Sequence, residues 1–144
     1  MSAETLLLVD DEESDLERMR QVLLGAGYTV VKADTYQSAL EVFEGHRHTV
    51  RVLVSDISLP GGNGCELALA IRHHKPDLRV LFVSGHVGAE VCRYYGLEVT
   101  DEHFLSKPFA ADELLSRVSV ISNSVPSFPS LCEPARPKTR TGSA

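Results

Sequence analysis

Apolar positions along the chain fall into five short runs, and each run is followed by a segment of helical spacing. Thr5-Leu6-Leu7-Leu8-Val9 predicts a buried strand that ends on Asp10-Asp11, with Glu12 and Glu13 behind. Ser14 is expected to cap the next helix, with Glu17 at capping-box distance. In that helix Leu16, Met19, Leu23 and Ala26 recur on one face, and Gly25 and Gly27 mark its end. Thr29-Val30-Val31 predicts a second, shorter strand. Thr35 opens a helix with Tyr36, Ala39, Leu40 and Phe43 on one face, stopped near Gly45. Val50 to Ser55 is the third strand, and it delivers a single acid, Asp56, to its tip. A Pro60-Gly61-Gly62 loop follows, then a helix carrying Leu67 and Ile71 that ends before Pro76. Arg79 to Val83 is the fourth strand, ending on Ser84-Gly85. Val91, Cys92 and Tyr95 point to a fourth helix in a Gly-interrupted segment. His103 to Ser106 is the fifth strand, ending on Lys107-Pro108, and Asp112 starts a last helix with Leu114, Val118 and Ile121.

A β-α unit repeated five times with short turns calls for an α/β fold, a parallel sheet covered by helices on both faces. Ligand chemistry in such folds gathers at the C-terminal strand ends. Asp10, Asp11, Asp56, Ser84 and Lys107 all fall there, although they are remote in sequence. The domain is expected to span residues 4–121. From about Ser122 the composition changes: Pro126, Pro129, Pro134 and Pro137 interrupt a Ser-rich and then basic tail, 122–144, expected to be disordered.

Bulk properties narrow the setting. The net charge is -6; the tail carries +2 of it, which leaves -8 on the rest and argues against a nucleic-acid surface. No apolar stretch approaches the ~20 residues needed to span a bilayer. The N-terminus shows no signal-peptide pattern, so a cytoplasmic protein without membrane insertion is expected. Cys65, Cys92 and Cys132 are odd in number, lack metal-ligand spacing and read as reduced thiols.

Three acids at one sheet edge repel one another unless a cation intervenes. Hard oxygen ligands suit Mg2+, which takes one or two carboxylates together with phosphate oxygens. Asp10, Asp11 and Asp56 could hold it, with a backbone carbonyl from the loop, that of Ser58. Asp56 could then attack a phosphorus atom and form an acyl phosphate. Lys107 would neutralise charge on the transferred group, and Ser84 could donate a hydrogen bond to it. Each residue also has a plainer reading. Asp10-Asp11 alone would serve a helix N-terminus. Lys107 could lie on the surface, Ser84 could satisfy a backbone group, and Phe104 could be core only. His86 lies two positions after Ser84 and could influence water access; its plain reading is a loop histidine. His46, His48, His73 and His74 read as surface residues at helix ends. His73 and His74 are adjacent, which makes a poor metal pair on a helix.

Leu8-Val9-Asp10-Asp11, Asp56-Ile57-Ser58-Leu59-Pro60-Gly61, Ser84-Gly85 and Phe104-Leu105-Ser106-Lys107-Pro108-Phe109 together resemble the receiver domain of two-component response regulators, over roughly residues 4 to 121. The resemblance implies a flavodoxin-like, doubly wound, five-stranded parallel sheet of order 2-1-3-4-5. It implies that Asp56 accepts phosphate from a histidine kinase or histidine phosphotransfer protein. Asp10 and Asp11 then look like the metal-site acids, Ser84 like the switch hydroxyl and Phe104 like the switch aromatic. A downstream protein would read the surface of the fourth helix, fifth strand and fifth helix, and Lys107-Pro108 would be a cis peptide. Val99-Thr100-Asp101-Glu102 replaces the family's usual Gly-Ala turn. The stretch from Gly85 to Phe104 and the Phe-Leu-x-Lys-Pro-Phe ending look more like receivers attached to hybrid sensor kinases.

The expectation is a phosphoacceptor signalling domain that catalyses only its own phosphoryl transfer and dephosphorylation, not an enzyme with an external substrate. Met1 favours a stand-alone regulator over a receiver module of a hybrid histidine kinase. A phosphorylation-independent scaffold is disfavoured by the intact acid and lysine set. A Mg2+-dependent phosphohydrolase is disfavoured because Ser58 stands two residues after Asp56, where such enzymes place a second acid. Homodimerisation is left open.

Overall fold

The computed structural model describes residues 4–85, 88–94, 96–98, 101–123 and 130–131. Five parallel strands form the sheet: β1 (Thr5–Val9), β2 (Thr29–Ala33), β3 (Val50–Asp56), β4 (Arg79–Ser84) and β5 (Phe104–Ser106). Their order is β2-β1-β3-β4-β5. The helices are α1 (Glu13–Gly25), α2 (Tyr36–Gly45), α3 (Gly64–His74), α4 (Gly88–Tyr94) and α5 (Ala111–Asn123).

The strand residues alternate between two cores because successive side chains point to opposite faces of a sheet. Leu6, Leu8, Val52, Val54, Leu81 and Val83 pack on one face against Leu16, Met19 and Leu23 of α1 and Leu114, Val118 and Ile121 of α5. Leu7, Val9, Leu53, Val80 and Phe82 pack on the other against Ala39 and Phe43 of α2, Leu67, Ala68 and Ile71 of α3, and Cys92 of α4. The central strands are buried on both faces, which is why they read as near-continuous apolar runs.

Several local expectations change. Ser14 does not cap α1. The helix starts at Glu13, and its N-cap, Glu12, makes no side-chain cap bond. The backbone N–H of Glu12 instead donates to Asp10 Oδ1 at 2.9 Å, and Ser14 donates to Glu12 Oε2 at 3.3 Å. Ala26 is exposed beyond the helix end, where Gly27 at φ +99° turns the chain away. β2 extends to Ala33, and His103 closes a 3-10 turn (Asp101–His103) rather than opening β5. Thr35 opens α2 as expected, and Asn63, which the sequence had not singled out, caps α3. Thr35 and Ser38 form a capping box on α2, and Asn63 accepts from the N–H of Glu66 at 2.8 Å to start α3.

Cys65 and Cys92 form a disulfide, with Cα atoms 5.4 Å apart across 27 positions of sequence. The reading of these two as reduced thiols is thereby corrected: wide spacing in sequence says nothing about distance after a crossover brings α4 beside α3. Ser130–Leu131, within the segment taken as tail, pairs antiparallel with Leu97–Glu98. Ser122 and Asn123, taken as the start of the tail, belong to α5, while His86, Tyr95, Val99, Thr100 and residues 124–129 and 132–144 lie outside the described residues.

Candidate functional site

The strand registers assemble the site. Val9 stands opposite Ser55, so Asp10 and Asp56 emerge side by side. Asp56 is opposite Val83, which puts Ser84 one step further along the same edge. Ser84 is opposite Ser106, and Lys107 follows; the N–H of Lys107 donates to the carbonyl of Ser84 at 2.8 Å. The Lys107–Pro108 peptide bond is cis.

Lys107 is the hub. Its Nζ lies 2.7 Å from Asp10 Oδ2, 3.1 Å from Asp56 Oδ2 and 3.3 Å from Asp15 Oδ2. Asp10 is fully buried, Asp56 nearly so, and Asp11 is exposed at the rim. Each of Asp10, Asp11 and Asp56 offers an oxygen within 4.8 Å of the others. That donor set is all carboxylate, the chemistry that Mg2+ favours. Burial pushes the Asp10 carboxyl above its ordinary range, and the Lys107 ammonium and the Glu12 N–H offset only part of that. Burial alone would lower Lys107, but its hydrogen bond to Asp10 and the charges of Asp10 and Asp56 outweigh it and hold the ammonium protonated.

Around this group, Ser58 donates its N–H to Asp56 Oδ1 at 3.3 Å from an exposed position. Ser84 is buried at the tip of β4. Phe104 is half-buried and packs against the α2–α3 core, and its carbonyl accepts a hydrogen bond from Arg117. The loop after Asp56 is a tight antiparallel turn, Ser58–Leu59 against Gly62–Asn63, with φ of +85° at Gly61. A glycine after a proline suits that conformation.

Four contributors escaped sequence reasoning. Asp15 joins Lys107 from the first turn of α1; its signal was a position one helical turn beyond Asp11. Arg18 donates to the carbonyl of Phe109 at 2.7 Å and lies over its ring, 5.5 Å from the centroid, fixing the segment after Lys107. Ser55, fully buried, donates to the carbonyl of Asp56 at 2.7 Å. Gly64 backs onto Asp56: a Cβ there would stand 2.3 Å from the Asp56 carbonyl oxygen. Its N–H donates to the carbonyl of Ile57 at 2.7 Å. No sequence pattern marks the last two: Ser55 bonds within β3, and Gly64 matters through how α3 meets β3.

The model of the response regulator receiver domain matches residues 6–119. The chain belongs to the response regulator receiver family. This receiver is 31% identical over 129 residues to the transcriptional regulatory protein CreB of Escherichia coli K12, covering 89% of the chain and 55% of CreB. It is 33% identical over 114 residues to the sensor kinase CckA of Brucella abortus, covering 79% of the chain and 12% of that kinase. It thus spans little more than half of the one relative and a small part of the other. Among solved structures, a response regulator receiver protein from Sinorhizobium medicae superposes with a TM-score of 0.74 at 28% identity, covering 85% of this chain and 96% of that one. Among the described residues, no helix of the receiver is long and apolar enough to cross a membrane.

Proposed function

We propose that Asp56 is the phosphoacceptor of this receiver and that the surrounding residues support its own phosphorylation and dephosphorylation, with no external substrate. The observation that carries this is the position of Lys107 Nζ, within 3.1 Å of the Asp56 carboxylate and 2.7 Å of Asp10. Asp56 attacks the phosphorus of a phosphohistidine on a histidine kinase or phosphotransfer protein. A bond forms from Asp56 oxygen to phosphorus, the bond from phosphorus to the histidine nitrogen breaks, and the imidazole leaves with the electron pair. The fixed ammonium of Lys107 faces the charge that stays on the phosphoryl oxygens. Asp10, Asp11, Asp56 and the carbonyl of Ser58 would hold Mg2+, which supplies charge neutralisation at the phosphoryl oxygens when bound. Ser84 would donate to the same oxygens, and Phe104 would follow it, passing the change to the surface of α4, β5 and α5.

The acidic balance of the chain, -6, supports a protein target rather than direct nucleic-acid binding. The setting we infer is the cytoplasm. The test is intact mass after incubation with Mg2+ and acetyl phosphate. The parent protein gains one phosphoryl group, and Asp56→Asn gains none. A parent protein that stays unmodified under excess donor and metal would refute the reading, and an equal adduct on the variant would move the site elsewhere.

A further inference from the structure

The Cys65–Cys92 bridge joins two elements that bracket the site. Cys65 is the second residue of α3, whose first residue, Gly64, packs against the backbone of Asp56. Cys92 lies in α4, which begins four positions after Ser84. The cross-link therefore runs from the support of Asp56 to the helix that follows the hydroxyl strand.

That helix is short, with Cys92 in the α2–α3 core and Val91 packed partly against it. It has seven residues, fewer than any other of the five helices, and glycines at 85 and 96 flank it. Val91 is only half-buried, and Tyr94 is 78% exposed. Among its described side chains Cys92 alone is fully buried. A helix of this length is marginal without tertiary anchoring. The bridge adds a covalent restraint on α4.

We propose that Cys65 and Cys92 form a reversible thiol–disulfide site, set by a low-molecular-weight thiol/disulfide couple, that controls the mobility of α4 and so its response to phosphorylation. The coupling to phosphorylation rests on the reading of Asp56 as phosphoacceptor; the redox site itself does not. In the cytoplasm inferred for this protein, reducing couples keep most thiols free, and disulfides that do form there are generally transient and redox-sensing. Closure takes two exchange steps. One cysteine thiolate attacks a small disulfide, a mixed disulfide forms and one small thiolate leaves. The second cysteine thiolate attacks the protein sulfur of the mixed disulfide, the bridge forms and the second small thiolate leaves. The two thiol protons end on the released thiolates, so two thiols are oxidised as one small disulfide is reduced. Opening is the reverse. Both cysteines are fully buried, so exchange requires α4 to lift from the sheet, and the site favours small reagents over large ones.

The full chain carrying Cys132→Ser is equilibrated in glutathione buffers from fully reduced to fully oxidised. Alkylation and intact mass count the free thiols, and amide exchange is followed over residues 88–94, with and without acetyl phosphate and Mg2+. We expect two thiols to vanish together as the buffer is oxidised and to return on reduction. Amide exchange in α4 is expected to be on the order of tenfold faster in the reduced form. Phosphorylation should change α4 exchange more in the reduced form than in the oxidised one. Cys92→Ser, and Cys65→Ser as a second variant, should behave as the reduced protein in every buffer. Two thiols that stay free in fully oxidised glutathione overturn the proposal, as does a bridge that stays closed in excess reduced glutathione, which would be a fixed staple. Equal α4 exchange in both redox states overturns the control of mobility. Failure of the phosphoacceptor reading is separate: no phosphoryl adduct in either redox state removes the coupling, while the thiol counts and unphosphorylated exchange still decide the redox site.

Discussion

At the residue scale the site is a compromise between burial and charge. Asp10 has no exposure and is held above its ordinary carboxylate range chiefly by burial, even with Lys107 at 2.7 Å. A carboxyl whose folded value is raised favours the fold when protonated. Its contribution is full below the unfolded value and is lost as pH rises through the folded one. Ionised Asp10 therefore costs stability at neutral pH when no metal is bound, because burial outweighs the Lys107 pair. Asp10→Asn should raise the melting temperature of the metal-free protein at neutral pH by about 2–6 °C, the shift expected for roughly 1 kcal/mol in a domain of this size. The advantage should shrink as pH falls through the raised carboxyl value. Thermal melts from pH 7 to pH 4 check it, and a variant less stable than the parent throughout would mean that the Lys107 pair outweighs burial. The glycines make a second contrast. A methyl on Gly64 meets backbone, the Asp56 carbonyl at 2.3 Å, and backbone cannot yield. Gly64→Ala should cost about 1–3 kcal/mol, as overpacking does, and slow phosphoryl uptake. A methyl on Gly62 meets the Tyr36 ring, Cδ1 at 2.9 Å and Cγ at 3.0 Å, so the whole side chain must shift, which a side chain does more readily than backbone. Gly62→Ala should be milder in urea melts; equal costs would place the sensitivity in the loop rather than behind Asp56.

At the element scale, what could be read from sequence was what depends on local periodicity. The strands β1, β3 and β4 and the inward faces of α1, α2 and α5 follow from their apolar spacing, and one parallel topology then brings Asp10, Asp56, Ser84 and Lys107 to a single edge. The parts that could not be read depend on packing between elements. Gly64 matters because α3 starts against β3, where a Cβ would meet the Asp56 carbonyl and Ser55 Oγ. The cap of α1 moved because the Asp10 carboxylate took the N–H of Glu12. The Cys65–Cys92 pair became visible only once α4 lay beside α3. That bridge closes a 27-residue separation, and closing a loop of that length removes entropy from the unfolded chain. Reduction of the chain is expected to lower its unfolding free energy by about 2–4 kcal/mol, measured as a lower urea midpoint with a steeper slope as the unfolded chain loses its cross-link. A midpoint unchanged by reduction would show that α4 opens before the rest of the molecule unfolds, so that the bridge restrains one helix and not the whole fold.

At the scale of the whole molecule, the cluster of Asp10, Asp11 and Asp56 would link metal binding to folding. The three oxygens within 4.8 Å of one another exist only when β1 and β3 are paired, so a cation that they hold binds the folded chain and not the unfolded one. Such a ligand stabilises by RT ln(1 + [L]/Kd), about 2.7 kcal/mol at a hundredfold excess over Kd. Mg2+ held there would relieve the repulsion among these acids and also the cost of burying Asp10, so the gain should exceed that of an equal ionic strength of Na+, which screens but is not chelated. The melting temperature should rise with the logarithm of Mg2+ concentration once the site is saturated and return to its starting value on chelation. Asp10→Asn should begin higher and gain less from Mg2+. Asp15→Asn should gain as much as the parent, because Asp15 touches Lys107 but lies outside the three-acid cluster. The three melting curves separate metal coordination from general charge screening: screening would raise the parent and both variants alike, in Na+ as in Mg2+, and would leave Lys107 as the cluster's counterion.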